Sequence, residues 1–151
     1  MAALDLPQLR SHCPISFSLD CFGDRWSLLI LRDVLIEGRH DFRQMKNAGE
    51  GIASNVLTDR LARLEAMGLI ERFVHPDDRR VTQYLPTDLA LNLVPVLVEM
   101  AYWGGTHDDA TAAPEAFLRA YESDRDALCT GLRQAALERR RVLRERLGLP
   151  G

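Results

Sequence analysis

At 151 residues, with 46% hydrophobic and 27% charged side chains, the chain has the size for one domain with a real core and an appendage. The net charge of −3 offers no bulk attraction to nucleic acid, and residues 24 to 80 are themselves neutral, with ten basic and ten acidic side chains. Three cysteines at 13, 21 and 129 form an odd set without metal-ligand spacing, which argues against a disulfide scaffold and against zinc.

Met1–Arg10 has no long apolar run and does not resemble a signal peptide, and nothing approaches the roughly 18 apolar residues needed to cross a bilayer. The expectation is a cytoplasmic protein with reduced thiols and no membrane partner.

The elements follow in chain order. Pro14 to about Phe22 reads as a short helix, with Pro14 at its first position, Cys13 as N-cap and Gly23 as its stop. Asp24 caps a second helix, Arg25 to Glu37, whose apolar positions surround most of its circumference. It should be central to the fold, and Gly38 ends it. Asp41 opens a third helix to about Ala48, with Phe42 and Met45 inward and Arg43 and Lys46 outward. Gly49-Glu50-Gly51 then supplies a tight turn.

Ser54 has N-cap chemistry for a fourth helix, with Val56, Leu57, Leu61, Leu64 and Met67 as its apolar stripe and Gly68 as its stop. Leu69–Val74 and Val81–Tyr84 read as strands joined by the polar turn Pro76-Asp77-Asp78-Arg79-Arg80. Helix, turn, helix, hairpin is the order of a winged helix-turn-helix, a reader of DNA grooves.

Asp88 to Trp103 is a strongly apolar helix that Pro95 should kink or divide, closed by Gly104-Gly105. Residues 106 to 113 are small and polar. Pro114 to Leu147 is a further helical region, weakened at Gly131 and carrying the basic run Arg139-Arg140-Arg141, which reads as a solvated face. The fold class is therefore mainly α with a small antiparallel β-hairpin. The division is a winged-helix unit with dimerisation helices over 1–103, a linker over 104–113 and a helical extension over 114–151.

The residues resemble the HxlR-type winged-helix regulators of bacteria, a branch near the MarR group. The ordered matches are Cys13-Pro14, the series from Arg25 to Arg32, Phe42, Ile52, Leu57-Thr58-Asp59-Arg60-Leu61, Leu64-Glu65, and Gly68-Leu69-Ile70-Glu71-Arg72. Tyr84, Thr87, Pro95-Val96-Leu97 and Trp103 complete them. They cover 91 of 151 residues. Two features depart from the family pattern: the wing turn is Asp77-Asp78-Arg79-Arg80 rather than proline-rich, and 48 residues follow Trp103.

Helical-wheel arithmetic at about 100° per residue places Asn55, Asp59, Ala62 and Ala66 opposite the buried stripe, with Ser54, Thr58 and Arg63 on the flanks. Asn55, Thr58 and Asp59 are the candidate base contacts: Asn can bridge adenine, Thr can meet a thymine methyl, and Asp can accept from cytosine. A carboxylate near phosphates needs a donor to stay there, and the plain alternative for all three is an exposed polar helix face. Arg43, Lys46, Ser54, Arg63, Arg79 and Arg80 are candidate contacts to the DNA backbone. The alternative for the last two is a solvated turn paired to Asp77 and Asp78. Arg60 lies near the core side and is expected to pair with Asp33 or Glu37.

Cys13, at a helix N-terminus, is a candidate thiol sensor, as the resemblance implies. Its alternative is a small buried residue near the dimer helix. No phosphate loop, metal cluster or nucleophile motif is present, so the sequence suggests neither an enzyme nor a cofactor. The expected activity is that of a homodimeric transcriptional regulator, more often a repressor, on a palindromic operator in double-stranded DNA, with a small-molecule or redox effector in view. The helix Asp88–Trp103 and the segment Ile15–Leu19 would form the dimer contact. The competing reading is a winged-helix interaction module without DNA binding, motivated by the neutral charge and by Asp59.

Overall fold

A computed structural model describes residues 11–150, so the reading of Met1–Arg10 lies outside the described residues. Helix α1 spans Pro14–Phe22 with Cys13 as N-cap. Helix α2 spans Ser27–Arg32 and runs on as one π-helical stretch, Asp33–Glu37. The helix starts later than the sequence reading placed it, with Trp26 rather than Asp24 as N-cap, because Asp24 folds residues 24–26 into a turn: its Oδ1 accepts from the amides of Trp26 (2.9 Å) and Ser27 (3.1 Å), while the Ser27 hydroxyl donates to its Oδ2. Gly38 ends the π stretch at φ 69°, in the left-handed region that glycine tolerates.

Helix α3 is Phe42–Lys46, begun by a capping box between Asp41 and Gln44. Helix α4 is Ser54–Ala66, and here the structure corrects the sequence reading. Ala53, extended at φ −70° and ψ 145°, is the N-cap, so Ser54 is the first helical residue and no side chain caps this end. Ile52, just before it, is buried in the core.

Strands β1 (Ile70–Val74) and β2 (Thr82–Pro86) pair antiparallel, with Ile70 opposite Pro86 and Arg72 opposite Tyr84. Thr87 caps the short helix α5 (Asp88–Leu91) and donates its hydroxyl to the Gly68 carbonyl at 2.7 Å, tying hairpin to helix. Pro95 does mark a break: α6 begins at Val94 with the proline in its first turn, where a missing N–H costs nothing.

Helix α6 continues through Gly104-Gly105 to His107 rather than ending there. Gly105 marks a close approach instead of a stop. A Cβ on Gly105 would sit 3.0 Å from both Ala113 Cβ and Leu118 Cδ2, so the glycine lets the following chain pack against the helix. Helix α7 spans Glu115–Arg146 and passes through Gly131 unbroken. Its interruption lies earlier, at Asp124 (φ −159°, ψ 90°), whose carboxylate accepts from the Ala127 amide at 2.9 Å and restarts the helix.

The core is a single cluster in which Leu31, Val34 and Leu35 of α2 meet Leu57, Leu61 and Leu64 of α4 and Leu91, Val94 and Val98 of α5 and α6. These side chains are wholly or almost wholly buried, and α2 is central as expected. Helix α7 joins the same cluster through Ala136 and, at its margin, Phe117, Tyr121 and Leu132.

The arginine run on α7 is not simply a solvated face. Arg139 Nη2 donates to the Leu35 carbonyl (2.7 Å), and Arg140 donates to the Pro86 carbonyl (3.1 Å) and to Asp88 (2.8 Å). Only Arg141 behaves as read, paired along its own helix with Glu138 and Glu145. Further forward, Tyr121 of α7 stacks on Tyr102 of α6 with ring centroids 3.7 Å apart, and its hydroxyl donates to Glu99 at 2.9 Å.

Candidate nucleic-acid interface

Helix α4 turns Leu57, Leu61 and Leu64 into the core, which leaves Ser54, Asn55, Thr58, Asp59, Ala62 and Arg63 exposed on its other side. The wheel arithmetic thus describes this helix, and the three base-contact candidates share one face of its first two turns. The Asn55 side chain makes no hydrogen bond to another described residue. Thr58 returns its hydroxyl proton to the Ser54 carbonyl at 2.9 Å, which leaves its methyl outward. Asp59 has the donor a carboxylate in that position requires: Arg60 Nη1 donates to its Oδ2 at 2.6 Å.

Arg60 itself departs from expectation. Its Nε pairs with Asp24 at 3.0 Å, not with Asp33 or Glu37. Asp33 is buried and already taken by Arg32 (2.9 Å) and Arg39 (2.8 Å), and Glu37 lies 3.6 Å from Arg39. Asp24 therefore ties the turn that opens α2 to α4 with one carboxylate. Burial would raise its pKa, but the Ser27 hydroxyl, the Trp26 and Ser27 amides and the Arg60 charge together hold it below the ordinary value. Sequence reasoning missed this hub as an anchor of α4. The Asp24-x-x-Ser27 spacing hints at the turn, but nothing local points to Arg60, 36 residues away.

Among the backbone-contact candidates, Arg43 is exposed and Lys46 is half-buried at opposite ends of α3. Arg63 is exposed, with Nη2 donating to the Asp20 carbonyl at the end of α1. The two wing arginines differ. Arg80 is held by Asp78 through two side-chain bonds of 3.0 and 3.1 Å, which holds the Asp78 carboxyl below the ordinary range. Arg79 is exposed and pairs with no carboxylate among the described residues. A groove of about 400 Å³ lined by Arg43, Arg80 and Thr82 runs between α3 and the wing.

Cys13 is exposed in the single chain, at the N-cap of α1. Cys21 is buried and Cys129 half-buried, and burial pushes both of those thiols up. All three are free, and no group of metal-ligating side chains is gathered among the described residues. No helix among them is long and apolar enough to cross a membrane.

Known proteins share this arrangement. The chain is 29% identical over 100 residues to the HTH-type transcriptional regulator YybR of Bacillus subtilis (strain 168), itself uncharacterised; the match covers 66% of this chain and 79% of that one. The solved structure of PA1607, a candidate transcription factor, superposes with a TM-score of 0.60 at 32% identity, over 70% of this chain and 72% of the other. The redox regulator HypR in its oxidised form superposes with a TM-score of 0.57 at 30% identity, over 65% of this chain and 100% of the other. The model of the HxlR-like helix-turn-helix family matches residues 21–112. A winged helix-turn-helix with these relatives places the chain in the HxlR-like helix-turn-helix family of DNA-binding transcriptional regulators.

Proposed function

We propose that the protein acts as a homodimeric repressor that occupies an inverted-repeat operator. The observation that carries this reading is the first two turns of α4: an end without a side-chain cap, with Asn55, Thr58 and Asp59 exposed together beside a wing whose Arg79 pairs with no carboxylate among the described residues. Such an end enters a major groove, its amides and polar side chains meeting base edges and phosphates. Asn55, Thr58 and Asp59 read bases; Ser54, Arg43, Lys46, Arg63, Arg79 and Arg80 hold the phosphates, Arg63 and Arg80 exchanging their intramolecular partners for DNA.

A second subunit is needed because a palindrome presents its half-sites about 34 Å apart. Two apolar stripes support one: Ile15 (72% exposed) and Leu19 on α1, and Val96, Met100 and Trp103 (66% exposed) on α6. Cys13, exposed at the start of α1 within the same region, is the proposed sensing thiol, in keeping with the redox regulator among the structural neighbours. The protein works in the cytoplasm, where its DNA lies.

Selection of bound sequences from a random duplex pool, with stoichiometry read in parallel, tests the reading. Enrichment of an inverted repeat bound by two subunits is the expected result. An unenriched pool at low salt would replace it with a protein-interaction module.

A further inference from the structure

Between the turn after α2 and the last part of α7 lies a cleft of about 290 Å³, lined by Gly38, His40, Arg139, Val142, Leu143 and Arg146. Two of its lining residues carry, beneath the surface, buried polar atoms without a hydrogen-bond partner among the described residues, His40 Nε2 and Arg139 Nε. Their roles are opposite. His40 Nδ1 lies 3.0 Å from the Tyr84 carbonyl, an acceptor, so Nδ1 carries the proton and Nε2 of the neutral ring offers a lone pair. Arg139 Nε can only donate, and its Nη2 is committed to the Leu35 carbonyl.

The wall and mouth differ. Val142 and Leu143 are half-buried apolar side chains on one turn of α7, and exposed Arg146 pairs with no carboxylate among the described residues. The acid at the rim, Glu138, is engaged by Arg141 at 2.6 Å. Gly38 belongs to the construction: a Cβ there would sit 3.1 Å from Arg139 Cδ, so the guanidinium stem lies against bare backbone.

We infer that this cleft is a binding site for a small hydroxylated carboxylic acid with an apolar body. One hydroxyl donates to His40 Nε2 and accepts from Arg139 Nε–H, satisfying both buried atoms at once. The apolar body lies on Val142 and Leu143, and the carboxylate pairs with Arg146 at the mouth. Arg139 and His40 turn slightly toward the ligand, since both buried atoms are covered without it. His40 also bonds Tyr84 of β2 through both backbone and ring, and its amide meets Gln44 of α3 at 2.8 Å. Occupancy is therefore felt at the wing and at α3, a regulatory consequence that rests on the DNA-binding reading. The binding itself does not.

The test is free of DNA for that reason. The full chain is titrated with trans-4-hydroxycyclohexanecarboxylate and followed by backbone amide chemical shifts. Saturable shifts centred on Gly38, His40 and Leu143 are expected. Cyclohexanecarboxylate, lacking the hydroxyl, and trans-4-hydroxycyclohexanecarboxamide, lacking the charge, should each bind about tenfold or more weakly, the loss of one strong hydrogen bond or ion pair. Arg146→Gln, at an exposed position, should weaken the acid to a similar degree, and Arg119→Gln, elsewhere on α7 and paired with Glu115, should not. No saturable shift, shifts centred elsewhere, equal binding of the three compounds, or undiminished binding to Arg146→Gln would each overturn the assignment.

Discussion

The unequal state of the two wing arginines leads to a quantitative prediction. Arg79 has no carboxylate partner among the described residues, whereas Arg80 is paired to Asp78 through two hydrogen bonds. If Arg79 contacts one phosphate in each half-site, a dimer makes two such contacts. Each contact contributes about 0.9 to the slope of log affinity against log salt, so Arg79→Ala should flatten the slope by about 1.8. Over a fourfold rise in salt, the advantage of the parent protein over the variant then shrinks by about twelvefold. Asp78→Asn acts in the opposite sense: it spares Arg80 the loss of its partner on binding and removes a charge that repels phosphate, so affinity rises while the number of phosphate contacts, and with it the slope, stays near the parent's. The double variant Arg79→Ala, Arg80→Ala should flatten the slope at least as far as Arg79→Ala alone. Fluorescence anisotropy on one selected operator duplex at several salt concentrations measures all three. A parent slope in Arg79→Ala, or an affinity not raised in Asp78→Asn, would remove the wing tip from the interface.

Asn55→Ala should change the order of preference among operator variants at its base pair, by about 1–3 kcal/mol, more than it lowers affinity overall; competition binding with single-base variants reads this. Met100→Lys, which puts a charge on the exposed stripe of α6, should convert the proposed dimer to a folded monomer, seen by sedimentation with unchanged circular dichroism. Arg139→Met should cost about 1.5–3 kcal/mol in urea unfolding, because it leaves the part-buried Leu35 carbonyl without its charged donor, while Arg119→Met leaves the midpoint in place. Stability should also fall with acid through His40. Burial lowers its pKa below the ordinary 6.5; the bond to the Tyr84 carbonyl opposes this, the Arg139 charge adds to it and Asp41 again opposes it. The folded state thus binds the proton less well than the unfolded one. The contribution is whole above about 6.5 and is lost as pH falls toward the lower folded value. Unfolding midpoints across this range should slope less in His40→Gln, whose amide keeps a donor for Tyr84 without titrating.

Much of the molecule was legible in the chain because its information is local. Leu57, Leu61 and Leu64 repeat at helical spacing, and burial follows from that repeat alone. The hairpin announced itself through its polar turn, the break at Pro95 through a missing N–H, and the family through an ordered set of such features. What remained hidden was the choice of partners. Arg60 reaches Asp24 rather than Asp33 because two other arginines already occupy Asp33, and Arg139 reaches a carbonyl 104 residues away. Long flexible side chains select partners by proximity in space, which periodicity does not encode. Helix ends behaved likewise: Gly104-Gly105 looks like a stop until Leu118 packs against it, and Ser54 looks like a cap although Ala53 takes that place. Local propensity determined what each segment becomes. Packing decided where it begins and ends and which charges meet, because those depend on groups brought together only once the core has closed.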